Sequence, residues 1–186
     1  MRAWHGANAF RCGRGDLRLS TMSTPEVSPS GFSLSPPDAE ERKALEASLS
    51  REEAEVLLHH GTEAPFCGGL LDQKDSGVYC CRLCALPLFL HRTKFESGTG
   101  WPSFWAPIDE AHVRAVRDVS YGMVRIETRC ARCDSHQGHV FPDGPPPTRL
   151  RYCINSVSLE FVPDGAPLRD PLGRGDTLAM APLGNG

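Results

Sequence analysis

Long hydrophobic runs are missing from this chain of 186 residues. A membrane-spanning helix needs roughly 18 consecutive apolar residues, and the sequence has no run approaching that length. A surplus of positive charge is missing too, because 20 Lys and Arg residues stand against 23 Asp and Glu residues. We therefore expect a protein that does not cross a bilayer and that has no broad surface for duplex nucleic acid.

The N-terminus also lacks the continuous apolar core of a secretory signal. Residues 1–21 contain four arginines and one aspartate, a composition that faintly resembles an organelle transit peptide. An upstream start codon or a disordered arm is the alternative that we favour, because the segment has no clear amphipathic period. Without a secretion signal, the eight cysteines indicate a reducing compartment such as the cytoplasm, where thiols serve metals or chemistry rather than structural disulfides.

Regular alternation of helices and strands is absent from the pattern as well. A helix is predicted over 38–48, and a second one begins at the capping-box pair Ser50 and Glu53 and stops at Gly61. After these helices, short runs rich in Val, Ile, Tyr and Phe are broken by Gly, Pro and Asp. The strands predicted from these runs are 77–81, 87–90, 113–119, 122–129, 138–141 and 149–162. We therefore predict a mainly β fold, an antiparallel sandwich or open barrel with short N-terminal helices.

Composition divides the chain into three predicted parts. Residues 1–37 end in a stretch rich in Ser and Pro, which predicts a disordered arm and linker. Residues 38–163 form the predicted folded domain. Residues 164–186, which are rich in Gly and Pro, form a predicted flexible tail.

Two CxxC units are formed by Cys81 with Cys84 and by Cys130 with Cys133. Paired thiolates from two tight turns make the tetrahedral ligand set of a structural zinc ion. Redox pairs and plain buried thiols are the alternatives, which we disfavour because a thioredoxin-like CxxC opens a helix in a βαβ unit. Four thiolates fill the coordination shell, so the one zinc ion expected per chain is structural. The neighbouring Cys80 is predicted to point the other way and to be a packed thiol.

The segment 149–161 (RLRYCINSVSLEF) carries a further cysteine in a different setting. As a single strand it places Arg151, Cys153 and Asn155 on one face, followed by three apolar residues up to Phe161. A guanidinium beside a thiol lowers the thiol pKa, and the thiolate is the nucleophilic form. Cys153 is therefore a candidate nucleophile, with a buried core cysteine as the alternative.

The segment 135–144 (SHQGHVFPDG) contributes two imidazoles. Strand alternation places Gln137, His139 and Phe141 on one side and His136 on the other, unless Gly138 bends the chain. One histidine is then positioned to donate a proton, although a structural histidine is the alternative.

The segment 96–105 (ESGTGWPSFW) is a turn punctuated by glycine that carries Trp101 and two further aromatic rings. Such rings line an apolar pocket or fill the core, and the segment alone does not decide between these uses.

Three motifs in this order resemble the signature of the methionine sulfoxide reductase B family: GTGWPSF at 98–104, HQGHVFPDGP at 136–145 and RYCINSVSLEF at 151–161. Both CxxC pairs stand where zinc-bearing members of that family have them. The resemblance covers roughly residues 50–162. It implies two antiparallel β-sheets with helices on the N-terminal side. It also implies protein-bound or free methionine-R-sulfoxide as the substrate and thioredoxin as the reductant.

The resemblance also implies a chemistry for the residues already singled out. The thiolate of Cys153 would attack the sulfoxide sulfur while His139 protonates the departing oxygen, leaving methionine and a sulfenic acid. Trp101 and Phe141 would form the pocket for the substrate methyl group. The residues implied to orient the water, the sulfoxide oxygen and the thiol are His136, Asn155 and Arg151.

The cysteine that resolves the sulfenic acid departs from the common family pattern. Many members carry it at the position of Thr99, which has no thiol. Cys67, in the loop 65–69 (PFCGG), resembles the alternative resolving site, and a Gly-rich loop is flexible enough to bring it to disulfide distance. A bystander thiol or direct reduction of the sulfenic acid is the alternative. Two rival functions stay open, a zinc-stabilised interaction module without chemistry and a cysteine hydrolase using Cys153 and His139.

Overall fold

The computed structural model describes residues 26–176 of the chain. The prediction for residues 1–21 lies outside the described residues. The helices are α1 (Ala39–Glu46) and α2 (Arg51–His59), and the strands are β1 (Gly77–Cys81), β2 (Pro87–Leu90), β3 (Lys94–Phe95), β4 (Ser103–Phe104), β5 (Val113–Asp118), β6 (Arg125–Cys130), β7 (His136–Phe141), β8 (Arg151–Ile154) and β9 (Leu159–Pro163). Among the described helices, none is long and apolar enough to cross a membrane.

The strands form two antiparallel sheets, which confirms the predicted mainly β fold with short N-terminal helices. The smaller sheet has the order β2-β1-β9, and the larger has the order β3-β4-β8-β7-β6-β5. Three buried rings join the sheets in the main core: Phe89 stacks on Phe104 at 4.5 Å between ring centroids, and Tyr79 meets Phe104 edge-on at 4.9 Å. Such aromatic pairs contribute packing beyond their buried area. The larger sheet carries the site described below.

The start of α2 follows the sequence, but its end differs from the prediction. Ser50 and Glu53 form the predicted capping box. The left-handed residue that ends the helix is His60, with φ of 58°, rather than Gly61. A histidine in this conformation is less favourable than a glycine. Its side chain gains a hydrogen bond to Glu127, with 2.7 Å between Nδ1 and Oε1, which ties the helix end to the larger sheet.

The predicted strand 149–162 is in fact two strands in two different sheets. The first, β8, ends at Ile154, and a 3-10 turn (Ser156–Ser158) leads into β9. The carboxylate of Glu63 accepts the first two N–H groups of that turn at 2.6 and 3.0 Å. Because those amides bond to Glu63, they do not extend the β8 ladder. The predicted alternation of faces therefore ends at the turn.

Segments on both sides of the predicted domain pack against it. Leu34, which precedes α1, is 2% exposed, and Leu172, which follows β9, is 8% exposed, and both belong to the main core. Arg132 and Asp176 form a buried ion pair at 2.6 Å. Leu34 and Leu172 therefore anchor the described parts of the predicted arm and tail to the main core. The division at residues 38–163 stays a prediction.

Candidate active site and cysteine cluster

The four cysteines predicted to bind a metal lie together in the core. Cys81 ends β1 and Cys84 lies in the turn that follows, and in the same way Cys130 ends β6 and Cys133 lies in the next turn. The Sγ atoms of Cys81 and Cys133 are 3.6 Å apart, and those of Cys84 and Cys130 are 3.5 Å apart. Tetrahedral coordination at the usual zinc–sulfur length places sulfurs about 3.8 Å apart. The buried set therefore fits a tetrahedral metal site with little rearrangement.

Polar donors surround this cysteine cluster. The Ser135 hydroxyl lies 3.4 Å from Sγ of Cys81 and 3.2 Å from Sγ of Cys133. The side-chain amide of Gln137 donates to Sγ of Cys81 at 3.6 Å. Hydrogen bonds to sulfur favour the thiolate form that a metal requires. Because Gln137 belongs to β7, the cluster also ties the strand that carries His139 to the β1 turn.

A small pocket of about 130 Å³ opens where β7 meets β8. His139 and Cys153 stand directly opposite each other in the register of these strands. Cys153 is partly exposed, so its thiol is accessible from the pocket. The lining residues are Thr62, Trp101, Arg125, Gly138, His139, Phe141, Cys153 and Asn155. Five of the eight residues predicted to catalyse or to bind substrate therefore line one cavity.

A β-bulge in the pairing of β6 with β7 decides which way the histidines face. Gly138 lies at the bulge, where a Cβ atom would sit 2.0 Å from the carbonyl oxygen of Cys153. His136 then lies beside His139, with 5.5 Å between ring centroids, while Gln137 points to the cysteine cluster. The exception expected at Gly138 therefore applies: the bulge adds a residue, so Gln137 and His139 do not share a face as plain alternation would place them.

The thiol of Cys153 is less acidic than the sequence predicted. Burial raises its pKa, and the hydroxyl of Thr99 at 3.8 Å and the guanidinium of Arg151 lower it without outweighing burial. Arg151 makes two hydrogen bonds of 2.9 Å to the carboxylate of Asp143. Its guanidinium also lies over the ring of Phe141, 4.5 Å from the centroid. Arg151 therefore lowers the thiol pKa as predicted, but burial outweighs this effect and the net shift is upward.

This raised pKa predicts the pH dependence of Cys153 reactivity. Since the thiolate is the form that reacts, alkylation by iodoacetamide should be slow at neutral pH and should accelerate as pH rises through a midpoint above that of an ordinary thiol. The rate can be followed by mass spectrometry in a Cys67→Ser background, which removes the exposed thiol. A midpoint below the ordinary cysteine value would contradict the effect of burial.

His139 has an acidic partner that the sequence did not indicate. Its Nε2 lies 2.9 Å from Oδ2 of Asp118, at the end of β5. Hydrogen bonds from Ser120 and, to a smaller extent, from His139 lower the pKa of Asp118. The carboxylate therefore stays charged at neutral pH. A carboxylate on one ring nitrogen fixes the imidazole and supplies a counter-charge to its protonated form. Asp118 is distant in sequence, and the strand pairing alone brings it here.

His136 and Arg151, both predicted to contact substrate, are outside the lining of the small pocket. His136 lies in the wall of a larger neighbouring pocket of about 850 Å³. Its Nδ1 donates to Oε1 of Glu127 at 2.6 Å. Burial lowers the pKa of His136, although Glu127 opposes that shift. Burial also raises the pKa of Glu127, but Arg129 and the two histidines that contact it bring the value to about 2.

Glu63 is a site residue that the sequence analysis missed. Its backbone N–H donates to Oδ1 of Asn155 at 3.1 Å, and its carbonyl oxygen accepts the indole N–H of Trp101 at 3.2 Å. Its carboxylate holds the 3-10 turn that follows Asn155. One buried residue therefore fixes two walls of the small pocket. A glutamate in a loop gives no indication of such partners, because all of them are distant in sequence.

Cys67 is exposed in the loop between α2 and β1. The N–H of its neighbour Phe66 donates to the carbonyl oxygen of Gly100 at 2.9 Å. Gly100 adjoins Thr99, the residue whose hydroxyl contacts the thiol of Cys153. The loop of Cys67 therefore packs on the turn that contacts the candidate nucleophile.

An accessible thiol opposite a histidine, in an aromatic pocket beside a buried four-cysteine cluster, is the arrangement that a cysteine-based redox enzyme requires. The chain belongs to the SelR domain family, whose model matches residues 49–163. Relatives called peptide methionine sulfoxide reductase MsrB include one from Caulobacter vibrioides, 76% identical over 152 residues, which are 82% of this chain and 96% of the relative. Another, from Xylella fastidiosa, is 59% identical over 80% of this chain and 96% of its own length. One from Escherichia coli is 54% identical over 68% of this chain and 90% of its own length.

Proposed function

We propose that this protein reduces methionine-R-sulfoxide, free or in oxidised proteins, to methionine, and that Cys153 is its nucleophile. The supporting observation is the small pocket in which the Cys153 thiol, the His139 imidazole and the Trp101 indole meet. The names of the similar relatives support the reaction. The reducing cytoplasm, where thiols persist, is the compartment that we infer for it.

The first half-reaction transfers the sulfoxide oxygen to the Cys153 sulfur. The thiolate supplies the electron pair that reduces the sulfoxide sulfur, the S–O bond to methionine breaks, and Cys153 becomes a sulfenic acid. His139, held by Asp118, protonates the oxygen as it leaves. Asn155, fixed by Glu63, lines the same pocket and is placed to orient the oxygen.

The aromatic rings select the group that enters the pocket. Trp101 and Phe141 line a cavity of about 130 Å³, a size suited to a sulfur with its methyl group. Sulfur packs favourably against aromatic rings. With the methyl group in this cavity and the oxygen toward His139, the rest of the substrate must leave through the opening, and this arrangement selects one configuration at sulfur. Arg151 supports the pocket by covering Phe141, and His136 supports it by packing beside His139.

Glu63→Gln tests whether the pocket walls depend on this buried residue. A glutamine side chain has one oxygen, so its NH₂ group faces a backbone N–H and neither donor has an acceptor. The unpaired donors cost about 2 kcal/mol of stability. We expect KM for the sulfoxide to rise roughly tenfold, which corresponds to about 1.4 kcal/mol of lost binding. The alkylation rate of Cys153 should change little. Glu55→Gln, on an exposed part of α2, is the matched control. An unchanged KM in the Glu63 variant would remove Glu63 from this role.

The second half-reaction returns the sulfenic acid to a thiol. The Cys67 thiol condenses with it, water leaves, and the resulting disulfide is reduced by thioredoxin. The contact between Phe66 and Gly100 supports this step, because it places the loop of Cys67 against the turn beside Cys153.

Cys67→Ser should separate the two half-reactions. A small dithiol reduces a sulfenic acid directly, so turnover with dithiothreitol should stay within about twofold of the native rate. Thioredoxin-driven turnover should fall at least tenfold, because thioredoxin attacks a disulfide. Steady-state kinetics with each reductant measure the difference. Native thioredoxin kinetics in the variant would show that Cys67 is a bystander.

We further propose that the ion held by the cysteine cluster is Zn²⁺. Cys81, Cys84, Cys130 and Cys133 would hold it, and it would stabilise the fold while offering no open position for substrate. The buried sulfurs and the donors from Ser135 and Gln137 support this assignment, since thiolate ligands that accept hydrogen bonds from neighbouring side chains are typical of structural zinc.

A further inference from the structure

Three potential metal ligands outside the cysteine cluster converge at the end of α2. Nδ1 of His60 and Nδ1 of His136 lie 2.7 and 2.6 Å from the same carboxylate oxygen, Oε1 of Glu127. The three ligand atoms lie within 4.8 Å of one another. The other oxygen of Glu127 is held by Arg129 at 2.8 Å, which leaves Oε1 turned toward the histidines. Two imidazole nitrogens and a carboxylate oxygen are a ligand set that borderline divalent cations prefer.

Solvent access distinguishes this cluster from a buried structural triad. The His60 side chain is 48% exposed, while Glu127 and His136 are buried at the wall of the larger pocket of about 850 Å³. An ion at this point would have protein ligands on one side and water from the pocket on the other. Such an arrangement leaves open coordination positions, unlike the sealed cysteine cluster.

The spacing requires a small adjustment before an ion can bind. Ligand atoms about 2.1 Å from an ion stand roughly 3.0 to 3.4 Å from each other, so each nitrogen must move outward by about 0.5 Å from its hydrogen-bonding position. His60 can make this movement, because it is exposed and lies at the C-terminal end of α2. On binding, each Nδ1 gives up the proton that it shares with Glu127, the imidazole takes the tautomer with its proton on Nε2, and the freed Nδ1 lone pair binds the ion.

We propose that His60, Glu127 and His136 form a second site that binds a divalent cation of the Zn²⁺, Co²⁺ or Ni²⁺ class. Occupation of this site slows sulfoxide reduction, a consequence that rests on the proposed function. His136 packs beside His139, with 5.5 Å between the rings, and the two pockets share Thr62, Arg125 and His139. A cation bound to His136 therefore adds positive charge next to His139, the proposed proton donor. It also shifts the His136 ring that packs against His139.

The binding test uses reduced protein whose cysteine cluster has been loaded with one equivalent of Zn²⁺, titrated with Co²⁺. We expect one further equivalent per chain, with the weak visible bands of nitrogen and oxygen ligands. If Co²⁺ instead replaced Zn²⁺ in the cysteine cluster, intense thiolate-to-cobalt charge-transfer bands would appear, so the two events are distinguishable. His60→Gln should weaken this second equivalent about tenfold or more. His59→Gln, which alters the adjacent exposed histidine outside the cluster, should bind as the native protein does.

Equal affinity in the His60 and His59 variants, or saturation after the first zinc equivalent, would overturn the site. The inhibitory effect has its own measurement, because Co²⁺ should slow dithiothreitol-independent single turnover in the native protein and in His59→Gln but not in His60→Gln. Binding that leaves all three rates unchanged would overturn the inhibition while the site itself stands. Without added cation, His60→Gln should reduce the sulfoxide at the native rate.

Discussion

Cys153→Ser is expected to abolish the reduction of methionine-R-sulfoxide, with a loss on the order of 10⁴-fold or more in kcat/KM. A serine hydroxyl is a far weaker nucleophile than a thiolate and does not accept the oxygen to form a sulfenic acid. The substitution removes no large group from the small pocket, so folding should be retained. The assay uses dithiothreitol as reductant, with Cys67→Ser as the matched control that keeps its activity.

Each alternative to this account predicts a different result. Substantial residual reduction by Cys153→Ser would mean that another group is the nucleophile. Peptide or ester turnover without any reductant would favour a cysteine hydrolase using Cys153 and His139. A native protein without activity toward the sulfoxide would favour a zinc-stabilised interaction module.

Cys130→Ser is expected to lower thermal stability severely, because a structural zinc site contributes folding free energy directly. The cluster joins the turn after β1 to the turn after β6, and so it holds the smaller sheet against the larger one. We expect a loss of at least about 4 kcal/mol, which lowers Tm by roughly 10 °C or more in a domain of this size. The zinc content should fall from one equivalent per chain toward zero.

Cys80→Ala is the matched control for the cysteine cluster. Cys80 adjoins Cys81 and is equally buried, but it packs with Val78 and Val162 in a separate apolar group. Its burial raises its pKa, as expected for an inert packed thiol. The variant should keep its zinc and lose little stability. A native protein that is free of metal and as stable as the zinc-loaded form would contradict the structural role.

The sequence predicted best those features that depend on local chemistry. The bounds of β1 and β2 agree with the prediction, as does the capping box of Ser50 and Glu53. The spacing of the cysteine pairs was enough to predict that they meet, because a CxxC turn places both sulfurs on one side. The three motifs that resemble the reductase family together identified five of the eight residues that line the small pocket.

Features that depend on long-range partners could not be predicted. Strand alternation failed at the β6–β7 bulge, where Gly138 approaches β8 too closely for a side chain. The break between β8 and β9 depends on Glu63, which comes from the distant loop after α2. Arg151 lowers the pKa of the Cys153 thiol as expected, but the sequence did not show that burial would outweigh it and raise the pKa.

The most direct measurement of the central claim is single-turnover reduction of separated R and S epimers of methionine sulfoxide by the reduced native protein, without added reductant. The small aromatic pocket around Cys153 predicts that the R epimer yields about one methionine per chain and that the S epimer yields essentially none. Mass spectrometry should then find Cys153 oxidised, in the native protein as a disulfide with Cys67 and in Cys67→Ser as a trapped sulfenic acid. Equal reduction of both epimers, or methionine formed while Cys153 stays a thiol, would contradict the account.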